Sequence, residues 1–304
     1  MVSAPHIRLP STTHGTNRGA FSVHDWALFL SLSLIWGSSF LFMAIGLDNF
    51  HPGLVTILRV GFGAVTLALV PRARRTAIER SDWPRVLVLG LVWIALPTTF
   101  FPIAQHWIDS AVAGMLNGAM PVFTALASVV LLRELPRSRQ TVGLIIGFAG
   151  IAAIALPSAG SDRTAGVGVA LVLGASVCYA VAINLVAPLQ QKYGSLAVLA
   201  RVQWVAAALV LPYGLSGIPS SRFAWSSLLA MVVVGVVGTG LAFVLMGSLS
   251  GRVGPTRASF ITYLIPVVAL VLGVVFRSEQ VALLAVIGVG LVITGAFLAS
   301  RREI

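Results

Sequence analysis

The sequence predicts an all-α integral membrane protein, ten transmembrane helices arranged as two inverted-topology repeats of five. Three observations predict it. Of 304 residues, 58% are hydrophobic and only 10% are charged, against about 25% charged in an average soluble domain; so few charges cannot cover a water-facing surface of this size. The apolar residues gather into ten runs, most of them near the roughly 20 residues a helix needs to cross about 30 Å of hydrocarbon. The runs also repeat. Pro121 and Pro266, Glu134 and Glu279, Gly90 and Gly235, Gly143 and Gly288, and Gly150 and Gly295 are each 145 residues apart, and earlier in each half Arg59 and Arg201 are 142 apart. One unit of about 145 residues is used twice.

Residues 1–25 are polar, with Ser, Thr, His and Arg, and are expected to form a disordered cytoplasmic N-terminus. They hold no apolar h-region, so the first run reads as an uncleaved anchor. The first five-helix repeat spans 26–157, with runs at 26–46, 51–70, 85–104, 110–132 and 141–157. An extracytoplasmic loop, 158–164, leads to the second repeat, 165–300, with runs at 165–187, 195–214, 226–249, 255–276 and 281–299, before a cytoplasmic end at 301–304. Isolated strands would leave backbone groups unsatisfied in lipid, so the runs are helices. Pro97, Pro121 and Pro266 each remove a backbone donor within a span and are expected to bend it, as hinges for rocking. The glycines of the fifth, eighth and tenth runs let helices approach closely.

The basic residues orient the chain. With the N-terminus inside, Arg163, Arg222 and Arg277 fall outside, and Arg59 and Arg201 fall within spans; the remaining fifteen of 20 Lys and Arg fall inside. That asymmetry follows the positive-inside rule and places both termini in the cytoplasm. It also gives the net charge of +11 a role at anionic lipid headgroups rather than on nucleic acid. Five spans per repeat is an odd number, so the second copy enters the membrane from the opposite face. Many secondary transporters are built this way, with the substrate near the midplane where the halves meet.

Chemistry-bearing residues are sparse. All nine acidic residues lie outside the spans or at their edges, the single cysteine, Cys178, sits in an apolar run, and no HExxH, CxxC or P-loop pattern occurs. Nothing predicts an enzyme, a cofactor or a metal site. A membrane-embedded lipid-processing enzyme would need His or carboxylates clustered at one interface. Proton coupling usually uses an intramembrane carboxylate or His relay, so facilitated movement is the simpler expectation, with His51 and His106 as the alternative couplers.

The expected substrate pocket is drawn from polar and aromatic residues within spans: Trp36 and Ser39 in the first, Asn117 in the fourth, Tyr179 and Asn184 in the sixth, Trp204 in the seventh, and Thr262 and Tyr263 in the ninth. Aromatic walls mixed with Ser, Thr and Asn suit a neutral or zwitterionic metabolite. An Arg near a helix centre costs about 2.5–3.5 kcal/mol on insertion scales. Arg59 and Arg201 therefore need a reason: a structural bond to free carbonyls, or attraction for a substrate carboxylate. Their repeat-related positions favour the structural role.

Trp36-Gly37-Ser38-Ser39-Phe40, Arg59, Pro121, Arg133-Glu134-Leu135-Pro136, Gln140, Gly143 and Gly150, echoed by Pro255, Pro266, Glu279, Gly288 and Gly295, resemble the EamA repeat of the drug/metabolite transporter superfamily. The chain is similar to its amino-acid exporters of the YddG type. The resemblance implies export of small metabolites, amino acids first among them, across the plasma (inner) membrane by alternating access, as a monomer or homodimer. Efflux of drugs or aromatic cations, and of nucleosides or sugars, are the alternatives. The second copy departs from the first at Cys178-Tyr179-Ala180, which stands where Trp36-Gly37-Ser38 stands, so the pocket is expected to be lopsided.

Overall fold

The computed structural model describes residues 20–132, 138–159 and 163–300. Among them, ten apolar helical spans follow one another: α1 (Val23–Leu47), α2 (Pro52–Leu69), α3 (Arg80–Ala104), α4 (Ser110–Asn117 and Met120–Leu132), α5 (Ser138–Ala159), α6 (Arg163–Tyr193), α7 (Ser195–Ser216), α8 (Trp225–Val253), α9 (Pro255–Ala258 and Ile261–Arg277) and α10 (Leu283–Ser300). Eight are long and apolar enough to cross a membrane, and Ile261–Arg277 and Leu283–Leu298 are shorter apolar helices. Each coincides with one predicted run.

The start of α1 differs from the sequence expectation. Ser22 and Asp25 form a capping box, in which the Ser22 hydroxyl accepts from the Asp25 amide and the Asp25 carboxylate accepts from the Ser22 amide. This satisfies amide donors that a helix start otherwise leaves free. Residues 22–25 therefore belong to the helix and its cap rather than to a disordered tail; residues 1–19 lie outside the described residues. The S-x-x-D spacing is the signal that reading the segment for composition alone passed over. At α2, His51 Nδ1 accepts from the Gly53 amide, and Pro52 occupies the first turn, where its missing N–H costs nothing.

The two halves meet along antiparallel helix pairs. One joins α5 to α10 through close approach of their backbones. A methyl group at Gly150 would lie 2.6 Å from the Val292 nitrogen and 2.7 Å from the Gly288 oxygen, and one at Gly288 would lie 2.8 Å from the Gly150 oxygen. A methyl at Gly295 would collide with Gly147 and with the Gly143 oxygen. These contacts are reciprocal: 143 faces 295 as 288 faces 150, and 147 faces 295 as 292 faces 150. That is the pattern of a two-fold axis lying between antiparallel copies. The pair α2–α7 repeats the theme, with Gly53 against the Tyr213 backbone and Gly214 against Ile57. There Gln203, fully buried, donates from Nε2 to the Val60 oxygen at 3.1 Å.

Two irregularities bear on the site. Helices α3 and α8 each widen to π-helix, at Gly90–Ala95 and Val233–Leu241. Gly90 and Gly235 occupy equivalent places in the repeat, and each faces a helix of the other half, Gly90 against Val205 and Gly235 against Phe62 and the Arg59 carbonyl. Such insertions are rare and gather where function needs an irregular backbone. Pro97 follows the first π segment at the start of regular helix, but the second has no proline at the matching place, so proline alone is not their cause.

The second irregularity is the interruption of α4 and α9, which is not symmetric. Helix α4 breaks at Gly118-Ala119, and Pro121 stands in the first turn after the break. Helix α9 breaks at Ser259-Phe260, while Pro266 lies inside the following helix. Pro121 thus marks a break and Pro266 sits within continuous helix. The close contact of Gly118 with the Pro266 ring brings the α4 break against α9.

Candidate functional site

The predicted site residues divide by what they touch. Trp36, Tyr179 and Tyr263 each pack against one extended apolar cluster that includes Phe40, Met43 and Phe101. The Trp36 indole donates from Nε1 to the Gly238 oxygen at 3.1 Å, a carbonyl within the π segment of α8. Its ring meets Phe243 edge-on at 5.9 Å, and Phe243 in turn meets Trp93 at 6.1 Å. Tyr179 stacks on Phe101 at 6.3 Å, and Phe101 meets Phe40 at 5.4 Å. Tyr263 stacks on Phe260 at 5.7 Å, beside the α9 break.

The smaller polar residues mostly bond their own helices, as such groups do in apolar surroundings. Ser39 donates to the Ile35 oxygen at 2.9 Å, Asn184 to the Ala180 oxygen at 2.9 Å, and Thr262 to the Ser259 oxygen at 2.8 Å. Asn117 is different. It ends the first half of α4, and its Oδ1 is buried with no hydrogen-bond partner. Trp204 is 52% exposed, next to the fully buried Gln203, and packs into none of the buried apolar clusters. It is not brought to Trp36 or Tyr179. An apolar cleft of about 190 Å³ opens between α1 and α8, lined by Leu34, Ile35, Phe42, Val237 and Leu272 among others; of the predicted pocket residues it shares Ser39.

The two intramembrane arginines, equivalent in sequence, are unlike in structure. Arg201 donates from Nη1 to the Ala73 and Ala197 oxygens and from Nη2 to the Thr76 oxygen at 2.9 Å. It ties α7 to the chain that follows α2, which is a structural role. Arg59 Nη1 meets only the Met43 sulfur, at 3.1 Å, and its Nε is buried with no partner. No carboxylate among the described residues pairs with it. Met43 belongs to the apolar cluster that includes Phe40 and Phe101 and against which Tyr179 packs.

Ionic ties join the halves at both ends. At one end the fully buried Asp25 accepts from Arg252 Nε at 2.6 Å, and Asp82 accepts from Lys192 Nζ at 3.0 Å and from the Tyr193 hydroxyl at 2.7 Å. At the other, Arg277 forks onto Asp48 at 2.7 and 2.9 Å. Beside it Glu279 caps α4, accepting from the Ser110 amide at 3.0 Å, the Ser110 hydroxyl at 2.6 Å and the Ala111 amide at 2.8 Å. Burial, reinforced by the negative charge of Glu279, pushes the neighbouring Asp109 carboxyl up. Its repeat equivalent, Glu134, lies outside the described residues.

Comparison with known proteins agrees with this architecture. Residues 26–156 and 166–301 each match the model of the EamA-like transporter family. An uncharacterized transporter of Archaeoglobus fulgidus is 25% identical, over 91% of this chain and 99% of its own. A probable terminal-alkyne amino-acid exporter of Streptantibioticus cattleyicolor is 27% identical, over 92% of this chain and 94% of its own. A solved crystal structure shares the fold, with a TM-score of 0.63 at 20% identity, over 92% of this chain and 97% of that one.

Proposed function

This chain belongs to the EamA-like transporter family, and we propose that it exports small metabolites, amino acids first among them, across the plasma (inner) membrane by alternating access. The observation that carries this reading is the reciprocal seam between inverted halves. Two similar units of opposite orientation exchange conformations, so that inward-open and outward-open states are near mirror images about one site. The helix interruptions at Gly118-Ala119 and Ser259-Phe260 and the two π segments supply backbone that departs from regular helix where the halves touch. Among the described residues the buried side-chain polar atoms without partners are Arg59 Nε, Asn117 Oδ1, Gln203 Oε1 and both polar atoms of Gln105; amino acids are favoured because a guanidinium and amide oxygens are complementary to a carboxylate and an ammonium. The relative named as an amino-acid exporter supports the same substrate class.

Movement is facilitated in this reading, since the charged ties sit at helix ends rather than in a relay through the middle. The test is uptake of labelled L-amino acids into liposomes carrying the purified protein, with and without a pH gradient. Saturable uptake that ignores the gradient is expected. A folded protein that moves nucleosides, sugars or aromatic cations but no amino acid would replace this substrate class.

A further inference from the structure

We propose that Arg59 is the carboxylate anchor of the substrate site, and that its repeat-related counterpart Arg201 is its structural remnant; this rests on the amino-acid reading above. An arginine stays charged in a protein, and its planar fork matches a carboxylate with two parallel hydrogen bonds. Arg201 spends its fork on the Ala73, Thr76 and Ala197 carbonyls. Arg59 has only a thioether, a weak acceptor, and a buried Nε with nothing to donate to. A buried polar group without a partner calls for an explanation, and a buried cation more so.

Its surroundings supply the rest of a subsite. Arg59 is the eighth residue of α2, whose range is Pro52–Leu69, and so lies close to the helix midpoint. Its side chain reaches toward the helix N-terminus, to Met43 of α1. Met43 belongs to the apolar cluster that includes Phe101 of α3 and Phe40 of α1, and Tyr179 of α6 packs against that cluster and stacks on Phe101. Arg59 thus sits between α1, through Met43, and α8 of the other half, whose Gly235 lies against the Arg59 carbonyl. Position 179 is the place at which the second repeat has Tyr where the first has Gly37, so the anchor and its aromatic neighbour both depend on the divergence between the copies. A carboxylate set against Arg59 would leave the rest of the molecule against the Phe101–Tyr179 rings.

The test measures uptake by liposomes carrying the full chain from an external equimolar mixture of labelled L-amino acids, competed by the unlabelled acids, by the corresponding amino-acid amides, or by inorganic phosphate. Competition by the acids alone is expected. Arg59→Gln should reduce uptake at least tenfold, Arg59→Lys should recover part of it, and Arg201→Lys should keep the preference for acids over amides. Equal competition by the amides, or full uptake in Arg59→Gln, overturns the anchor and leaves amino-acid export standing. Equal competition by phosphate shows a general anion site and overturns the carboxylate assignment. No amino-acid uptake by the wild type overturns both readings. If Arg59→Gln does not fold, Arg59→Lys decides: acid selectivity and uptake unchanged from the wild type would mean that the fork is not used.

Discussion

The first and second halves of this transporter share a plan and diverge in its details. Helix α4 breaks at Gly118-Ala119, whereas α9 breaks at Ser259-Phe260, about one helical turn earlier in the repeat. Arg201 is satisfied by carbonyls and Arg59 is not. Trp36 bonds a π-segment carbonyl, and its counterpart is Cys178. What stayed alike holds the halves together: the glycines of α5 and α10 and the π segments at Gly90 and Gly235. The two copies share the scaffold and differ at Arg59 against Arg201 and at Trp36 against Cys178.

The strongest way to break this comparison is at the shared seam. Gly150→Ala would set a methyl 2.6 Å from the Val292 nitrogen, closer than real side chains come. The two backbones must part, at a cost of about 1–3 kcal/mol or more. Gly290→Ala, with open space around it, should leave the unfolding midpoint in detergent unchanged. A similar midpoint for both variants would show that the seam is not backbone-tight.

The arginines sharpen the contrast. Arg201→Gln forfeits bonds from a charged donor, worth about 1.5–3 kcal/mol each, and should lower thermal stability clearly. Arg59→Gln removes a cation with no partner and should stay within about 1 kcal/mol of the wild type or gain. Equal losses in the two variants would show that Arg59 is structural after all.

The prolines should differ by less. Pro266→Ala removes a ring packed on Gly118 inside continuous helix, and a loss of about 1–2 kcal/mol is expected. Pro121→Ala changes a first-turn position that tolerates proline and should be near neutral in denaturation. If it also leaves transport unchanged, Pro121 is not a hinge.

The smallest effect expected is on pH. Burial first, and His51 second, push the His106 imidazole below its ordinary value of 6.5. The unfolded chain therefore binds more protons just below that pH. The stability from a neutral His106 is present in full above 6.5 and falls as pH drops through the window beneath it. His106→Gln should flatten the midpoint between about pH 5 and 8.

The spans were legible because apolar length and proline–glycine spacing are properties of sequence, and each of the ten runs became a helix. The difference between Arg59 and Arg201 was not, because the carbonyls of Ala73 and Thr76 come from a one-turn helix, Pro71–Arg74, and the short connection after it, which no periodicity announces. The exposure of Trp204 was hidden for a related reason. A helix apolar on every side shows no stripe that separates a lipid-facing Trp204 from the buried Gln203 beside it. Phe243 and Met43 carry no signal of their own, since an apolar residue in a membrane span is the ordinary case. The π segments also lacked one, beyond the pairing of Gly90 with Gly235.

The meeting of α5 and α10 has one more implication. A surface on which 143 and 150 face the counterparts of 150 and 143 is complementary to its own upside-down twin. One half, made once in each orientation, would carry every contact this seam requires. It is a homodimer interface folded into a single polypeptide, and each exchange of glycine for a larger residue in an unfused half would have struck that interface twice.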